Sequence, residues 1–559
     1  SIMASVQIYN SRGTKYVRIV ESYRDPVTKK PKTKTIKNLG RKDVLEKEDP
    51  NIIEKLKKEL QDGRDSQANI QRQEVRNYLT EILDTKAAQS AKLQNYGYLV
   101  YRKLWKELSL DYFFDYRQQK ETKIDFPTKE VAFNLSILRL LQPSSKLRAY
   151  ENQYKLFGVK EVELHQMYRA LDFFFHQKEN LLKFLHKKIS DMTYRNLTVC
   201  FYDVTTIYFE SVEQSALKKF GYSKDNKVNT VQVVLGLLID TNGIPVYYDL
   251  FPGNTGDFRT LEPILEKLKN DFNVKRMILV ADRGLNSKRN LAILRKHGYD
   301  YIMAYKIRTA TKEVKNMVID KSTYTRLNDD LSIKETTLLQ LVDLDGIKEE
   351  FTDRFILTYS AKRAEKDKSD RIRLVEKAVK LSESKSRMKS ELKKGGKKYI
   401  QLSLDDIDLE LNTEKIEDDG LYDGFYGIVC SDSNIESNDI LRVYKGLWKI
   451  EESFRVLKSN LESRPMYVWT ESSIEGHIVL CFLSLTIQRL LEYLLKKENI
   501  NLSTQEIQES IKSAKLSMIS NENTNYYLKN ESDENFELIL KALKLKDIPS
   551  VGRETQVKL

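Results

Sequence analysis

The stretch LTVCFYDVTTIYFE, residues 197–210, decides the fold. Its β-branched and aromatic residues read as a largely buried strand with Asp203 in its middle. An acid inside such a strand costs several kcal/mol unless something pairs with it, so Asp203 has either an ordinary Arg or Lys partner or a functional one. Downstream, VNTVQVVLGLLID (228–240) and IPVYYDLFPG (244–253) read as two more strands, broken at TNG and PGNTGD. A helix, TLEPILEKLKND (260–271), then leads to the apolar strand VKRMILVAD (274–282), which ends on Asp282. Another helix, SKRNLAILRKHG (287–298), leads to the strand DYIMAYKI (300–307).

Three strands followed by alternating helix and strand is the order of a ribonuclease-H-like α/β sheet with helices on both faces. In such a sheet the first strand lies beside the fourth, so Asp203 and Asp282 face each other at one edge. Asp282 alone reads equally as a turn or N-cap residue. Residues 309–420 interrupt the alternation with strand-like pieces (RFILTYSAK, KKYIQLSL), a charged helix from about Ala361 to Lys393 and a KKGGKK turn, and read as a β-rich insertion domain. The strand GFYGIVCS (424–431) resumes the core.

YKGLWKIEESFRVLK (444–458) follows. On one continuous helix Tyr444, Glu451 and Lys458, spaced seven and seven, fall nearly in line. Leu447, Ile450, Phe454 and Leu457 form a buried stripe about 80° around the cylinder, so the polar line borders the core. Glu452 points about 100° further round and is expected simply to meet water. Asp203, Asp282 and Glu451 together make a hard-oxygen site suited to two Mg²⁺ or Mn²⁺ ions.

Composition points the same way. The chain of 559 residues is 40% hydrophobic, carries a net charge of +13 and has a pI near 9.1, which favours a polyanionic partner. Residues 1–45 hold 11 Lys or Arg against 3 Asp or Glu. YVRIVESYRD and KTKTIKNLG read as a basic β-hairpin of about residues 16–40, whose Lys29, Lys30, Lys32, Lys34, Lys37 and Arg41 are candidate DNA contacts; a solvated basic arm is the plainer alternative. Helical periodicity runs from Asp49 to about Ser190. The expected divisions are a basic arm at 1–45, a helical DNA-binding region at 46–195, a core in two parts at 196–308 and 421–500 around the insertion at 309–420, and a C-terminal region at 501–559. Cys200, Cys430 and Cys481 show no metal-ligand spacing, which argues for a reducing compartment and against structural zinc. HIVLCFLSLTIQRLL (477–491) reads as a core helix, with His477 a satisfied core histidine, and SIMASVQIYN as no export signal, so a cytoplasmic protein is expected.

YDVTT, VADRG and the Tyr-x2-Leu-x3-Glu-x6-Lys spacing of 444–458 resemble the three acidic motifs of bacterial insertion-sequence DDE transposases, in the subgroup whose last motif is Tyr-x2-Arg-x3-Glu-x6-Lys. The resemblance implies catalytic, metal-binding Asp203, Asp282 and Glu451 and a β-rich insertion before the Glu. It also implies phosphate contacts by Tyr444 and Lys458, a double-stranded DNA partner (terminal inverted repeats and target), a homodimer, and cut-and-paste excision through a hairpin. Leu447 stands where the family has Arg, so that contact is either missing or supplied by Lys445, Lys449 or Arg455. Tyr426 or Phe425 matches an aromatic that stacks on a flipped base, the other being core. Arg283 either touches phosphate or forms a salt bridge. Two rival readings are a catalytically silent DNA-binding descendant and a ribonuclease-H-like, structure-specific nuclease.

Overall fold

A computed structural model describes residues 3–11, 13–24, 31–60, 73, 76–77, 92–121, 123–221, 230–344, 347–382, 400–402, 409–463, 466–521 and 524–556. The chain divides into two compact units: Ser1–Gln94 with Leu516–Asn530 and Ile548–Leu559, and Asn95–Lys515 with Glu531–Asp547. The divide falls at 94/95, whereas the composition suggested boundaries at 45 and 195.

In the first unit, β1 (Met3–Ser11), β2 (Thr14–Arg24) and β3 (Pro31–Arg41) form an antiparallel sheet in the order β1-β2-β3. The hairpin read from the sequence is β2–β3, and β1 adds a strand that went unread. Val17 and Val20 are buried, while Arg18 donates to Gln7 Oε1 at 2.8 and 3.0 Å and lies 4.5 Å over the Tyr9 ring. Lys32, Lys34 and Lys37 are exposed along β3, and Arg41 pairs with Asp43 at 2.6 Å. Lys29 and Lys30 lie outside the described residues, as does KKGGKK. A second sheet has the order β18-β17-β16-β4, from β4 (Lys92–Asn95), β16 (Lys515–Asn521), β17 (Thr524–Lys529) and β18 (Val551–Arg553).

The second unit is built on the helix Glu471–Lys497, nearly all apolar through its centre. It is long and apolar enough to cross a membrane, yet 83% of its most apolar window is buried inside the protein. The helices Leu164–Thr193 and Thr128–Leu141 pack on it. The helices of 99–193 are therefore part of this unit, because Leu99–Glu107, Thr128–Leu141 and Leu164–Thr193 pack on this helix and the shorter helices pack on those. Lys178 ties three elements together, reaching Asp249 at 2.9 Å and Glu475 at 2.6 Å. Gly476 lets the two long helices touch: a Cβ there would lie 2.1 Å from the Leu171 carbonyl oxygen. Gly476→Ala is expected to cost about 1–3 kcal/mol by overpacking, read as a lowered Tm; an unchanged Tm would mean the helices slide apart freely.

The sheet of this unit has nine strands in the order β10-β11-β12-β15-β9-β8-β5-β6-β7. They are β5 (Val199–Tyr208), β6 (Gln232–Asp240), β7 (Pro245–Pro252), β8 (Ile278–Ala281), β9 (Asp300–Ala304), β10 (Thr325–Arg326), β11 (Leu331–Leu344), β12 (Ile347–Ser360) and β15 (Phe425–Cys430). β5 pairs antiparallel with β6 and parallel with β8, and β8 parallel with β9. The insertion does not form a separate sheet alone. Its long hairpin β11–β12 adds to the core sheet, with β12 antiparallel to β15 from Arg354↔Cys430 to Tyr359↔Phe425, because the open edge of β15 supplies the hydrogen-bonding groups that β12 needs. Among the described residues of the insertion, β13 (Ile400–Leu402) and β14 (Leu409–Leu411) pair apart from it. The charged helix runs over Ala361–Ser382.

Candidate active site

β5 and β8 run parallel with Tyr202 opposite Ala281, so Asp203 and Asp282 are the next residues on two adjoining chains. The two faces of β5 have different neighbours. Tyr202 donates to Thr260 Oγ1 at 2.8 Å on one face. Phe201, two residues before Asp203 and on its face, abuts Gly446: a Cβ on Gly446 would lie 2.6 Å from Phe201 Cζ. Asp203 thus faces the layer formed by the 437–460 helices, half-buried, with Thr205 and Thr206 buried beyond it in the strand. Asp282 is half-buried and Arg283 exposed.

The 444–458 segment is not one helix. Helices Ser437–Lys445 and Trp448–Arg455 are joined by a tight turn in which Gly446, Leu447, Lys449 and Ile450 donate to carbonyls three residues back, and Val456–Asn460 is a π-turn. Tyr444 therefore belongs to one helix, Glu451 to the next and Lys458 to the π-turn. The apolar stripe is as read, with Leu447, Ile450, Phe454 and Leu457 buried. The acids differ from expectation. Glu451 is exposed, whereas Glu452 is half-buried, 3.5 Å from Arg489 and 3.4 Å from Arg455. A helical wheel places a side chain against one neighbour only; here Arg489, from the helix Glu471–Lys497, covers the face assigned to water.

Asp282 and Glu451 line one cleft of about 910 Å³ together with Tyr426, Tyr444, Lys445 and Trp448. The Tyr426 and Tyr444 hydroxyls are hydrogen-bonded at 2.7 Å. Burial raises both phenols above their ordinary pKa, so they stay protonated. Of the three residues considered as replacements for an arginine at Leu447, only Lys445 lines this cleft. Lys449 donates to the Thr241 carbonyl and Arg455 pairs with Glu452. The missed residues are on the insertion helix. Lys362, Arg363 and Lys366 line the cleft, with the Arg363 guanidinium 4.3 Å over the Tyr426 ring. Their signal lay in the helix's first turns, where AKRAEK presents cations at i, i+1 and i+4, but nothing in that spacing says what they face. Phe425 is buried against Tyr359, so of these two it is Tyr426 that lines the cleft.

An all-carboxylate donor set suits a hard divalent cation. Among the described residues, however, no three Asp, Glu, His or Cys side chains stand close enough to hold one ion in this conformation. Cys200, Cys430 and Cys481 are free and buried.

The family model described as the transposase DDE domain matches residues 195–487, and that of the IS1634 family transposase N-terminal domain matches residues 4–74. Among solved structures, the Mos1 transposase paired-end complex with left transposon end is 13% identical, covering 32% of this chain and 59% of that one, with a TM-score of 0.15. A pre-cleavage Mos1 transpososome is likewise 13% identical, covering 32% and 60%, with a TM-score of 0.14. The chain thus spans about three fifths of these chains, and TM-scores this low bear on neither fold nor chemistry. No curated protein matches the sequence. With more than half its length matched by the DDE domain, and an IS1634-type domain ahead of it, this chain belongs to the DDE transposases of insertion sequences.

Proposed function

We propose that the protein is a metal-dependent DNA transposase with a ribonuclease-H-like core, cleaving at element ends and joining the freed 3′-OH to target DNA. The observation that carries this reading is the convergence of Asp282 and Glu451, 169 residues apart, on one cleft, with Asp203 in register beside Asp282. Asp203, Asp282 and Glu451 are the residues that would hold two Mg²⁺ or Mn²⁺ ions. When bound, such ions activate a water or 3′-hydroxyl and stabilise the leaving oxygen. The remaining residues position DNA. Lys445, Lys362, Arg363 and Lys366 offer cations to backbone phosphates, and Tyr426 offers a ring on which an unstacked base can stack. Tyr444 and Lys458 serve the same strand, the Tyr444 hydroxyl exchanging Tyr426 for phosphate. Lys32, Lys34, Lys37 and Arg41, on the basic sheet of the first unit, are duplex contacts in their own right, and Arg283 adds a cation beside Asp282. A homodimer acting on two ends, hairpin excision and a cytoplasmic setting complete the proposal.

Because the three carboxylates are not gathered in this conformation, a DNA-binding descendant without catalysis is the second reading. Incubating labelled element ends and target DNA with Mg²⁺ decides between them: cleavage with strand transfer supports the transposase, end binding alone the descendant. The Gly446–Phe201 contact supplies a further check. Gly446→Ala is expected to push the Glu451 helix off β5 and lower cleavage by up to about 10²-fold with end binding kept, since small displacements of catalytic groups are that costly. Wild-type cleavage rates in this variant would show that the contact does not position Glu451.

A further inference from the structure

We infer that the small cavity bounded by the helices Thr128–Leu141, Lys146–Asn152 and Glu471–Lys497 binds a phosphate-type oxyanion. It measures about 60 Å³, several times the ~10–15 Å³ that one water needs. Arg139, Lys146 and His477 converge on it, and they are only 8%, 5% and 4% exposed. Lys146 Nζ lies 2.6 Å from His477 Nδ1. Arg139 donates to the carbonyls of Ser144 at 2.7 Å, Leu461 at 3.3 Å and Glu462 at 3.4 Å.

These partners satisfy hydrogen bonds but cancel no charge. Among the described residues no carboxylate pairs with either cation. Glu462 also lines the cavity, but its side chain is exposed and pairs with neither cation; its charge is felt by Lys512. Buried cations are ordinarily compensated by an acid or a bound anion, or else shed their proton; a lysine can do the last but an arginine cannot, so for Arg139 a bound anion is the compensation left open. The Ser144 hydroxyl, buried and without a hydrogen-bond partner, supplies a neutral donor for the same oxyanion. Burial, then the Arg139 charge, lowers the Lys146 ammonium to about 7, while Cys481 opposes this. A bound anion would restore the ammonium to full charge. None of these residues lines the carboxylate cleft, so the site holds whether or not that cleft cuts DNA.

The oxyanion is either free phosphate or a phosphate of the DNA backbone, and two arms separate them. In the first, thermal unfolding of the full chain is followed in inorganic phosphate and in chloride of equal ionic strength. Free phosphate as occupant raises the wild-type Tm by about 2–4 °C, saturably, and leaves Lys146→Met unmoved. In the second, duplex binding is titrated against salt. A backbone phosphate as occupant makes Lys146→Met bind about tenfold more weakly, with a salt slope reduced by about one. Ser144→Val, which fills the cavity and keeps all three basic groups, must reproduce the Lys146→Met behaviour; it serves alone if Lys146→Met does not fold. The proposal is overturned if phosphate does no more than chloride while both variants bind DNA as the wild type does, or if phosphate stabilises the wild type and both variants equally.

Discussion

Asp203→Ala, Asp282→Ala and Glu451→Ala are each expected to lower Mg²⁺-dependent cleavage of end-bearing duplex by about 10³-fold or more, with end binding within a few-fold of wild type. Removing one carboxylate from a metal-binding set forfeits several kcal/mol of transition-state stabilisation, and each 1.36 kcal/mol is tenfold in rate. Binding survives because the cations lining the cleft and β3 are untouched. Substantial cleavage by any of the three variants would refute the assignment. Glu452→Gln is the matched control. Glu452 pairs with Arg489, which is also held by Glu492 at 2.5 Å, so its loss lowers the Tm and leaves cleavage at a permissive temperature within about threefold. If Glu452→Gln silenced cleavage in a folded protein, the acid of the third motif would be misassigned by one residue.

Asp240→Ala is expected to cost about 3–5 kcal/mol, the largest stability effect of any single substitution proposed for this protein. Asp240 ends β6, and its carboxylate receives Arg195 Nε at 2.7 Å with the two side chains 1% and 0% exposed. Its other oxygen accepts the backbone N–H groups of Asn242 and Ile244 at 2.9 and 3.0 Å, closing the turn into β7. Truncation strands a buried guanidinium whose pKa burial already lowers, and leaves two turn amides without their acceptor. Chemical denaturation measures the loss. A cost below about 1 kcal/mol would mean that water reaches Arg195 at once. Replacing both residues with apolar ones of similar volume should recover part of the stability, because the penalty lies in the uncompensated charge.

Much of the catalytic-core unit was legible because its signals are local. Strand periodicity marked β5, β6, β7, β8, β9 and β15, and the order of strands and helices placed β5 beside β8, as their register shows. The apolar stripe Leu447, Ile450, Phe454 and Leu457 was readable from spacing alone. Less legible was anything set by a partner far along the chain. The need for glycine at 446, where the helix breaks, follows from Phe201, some 245 residues earlier, which leaves no room for a Cβ. Glu452 turned out half-buried because Arg489 reaches it, and the helices of 99–193 joined the core because Glu471–Lys497 needed covering on all sides.

By itself, then, the sequence determined most strands of the large sheet, which acids interrupt apolar strands, and where positive charge accumulates, since each depends on residues within a few turns. Only the tertiary structure decided that β11–β12 extend the core sheet, that Lys362, Arg363 and Lys366 line the same cleft as Asp282 and Glu451, and that Arg139, Lys146 and His477 share one cavity. Those juxtapositions arise from side-chain packing and edge-strand pairing between segments tens to hundreds of residues apart, for which no periodicity exists to be read.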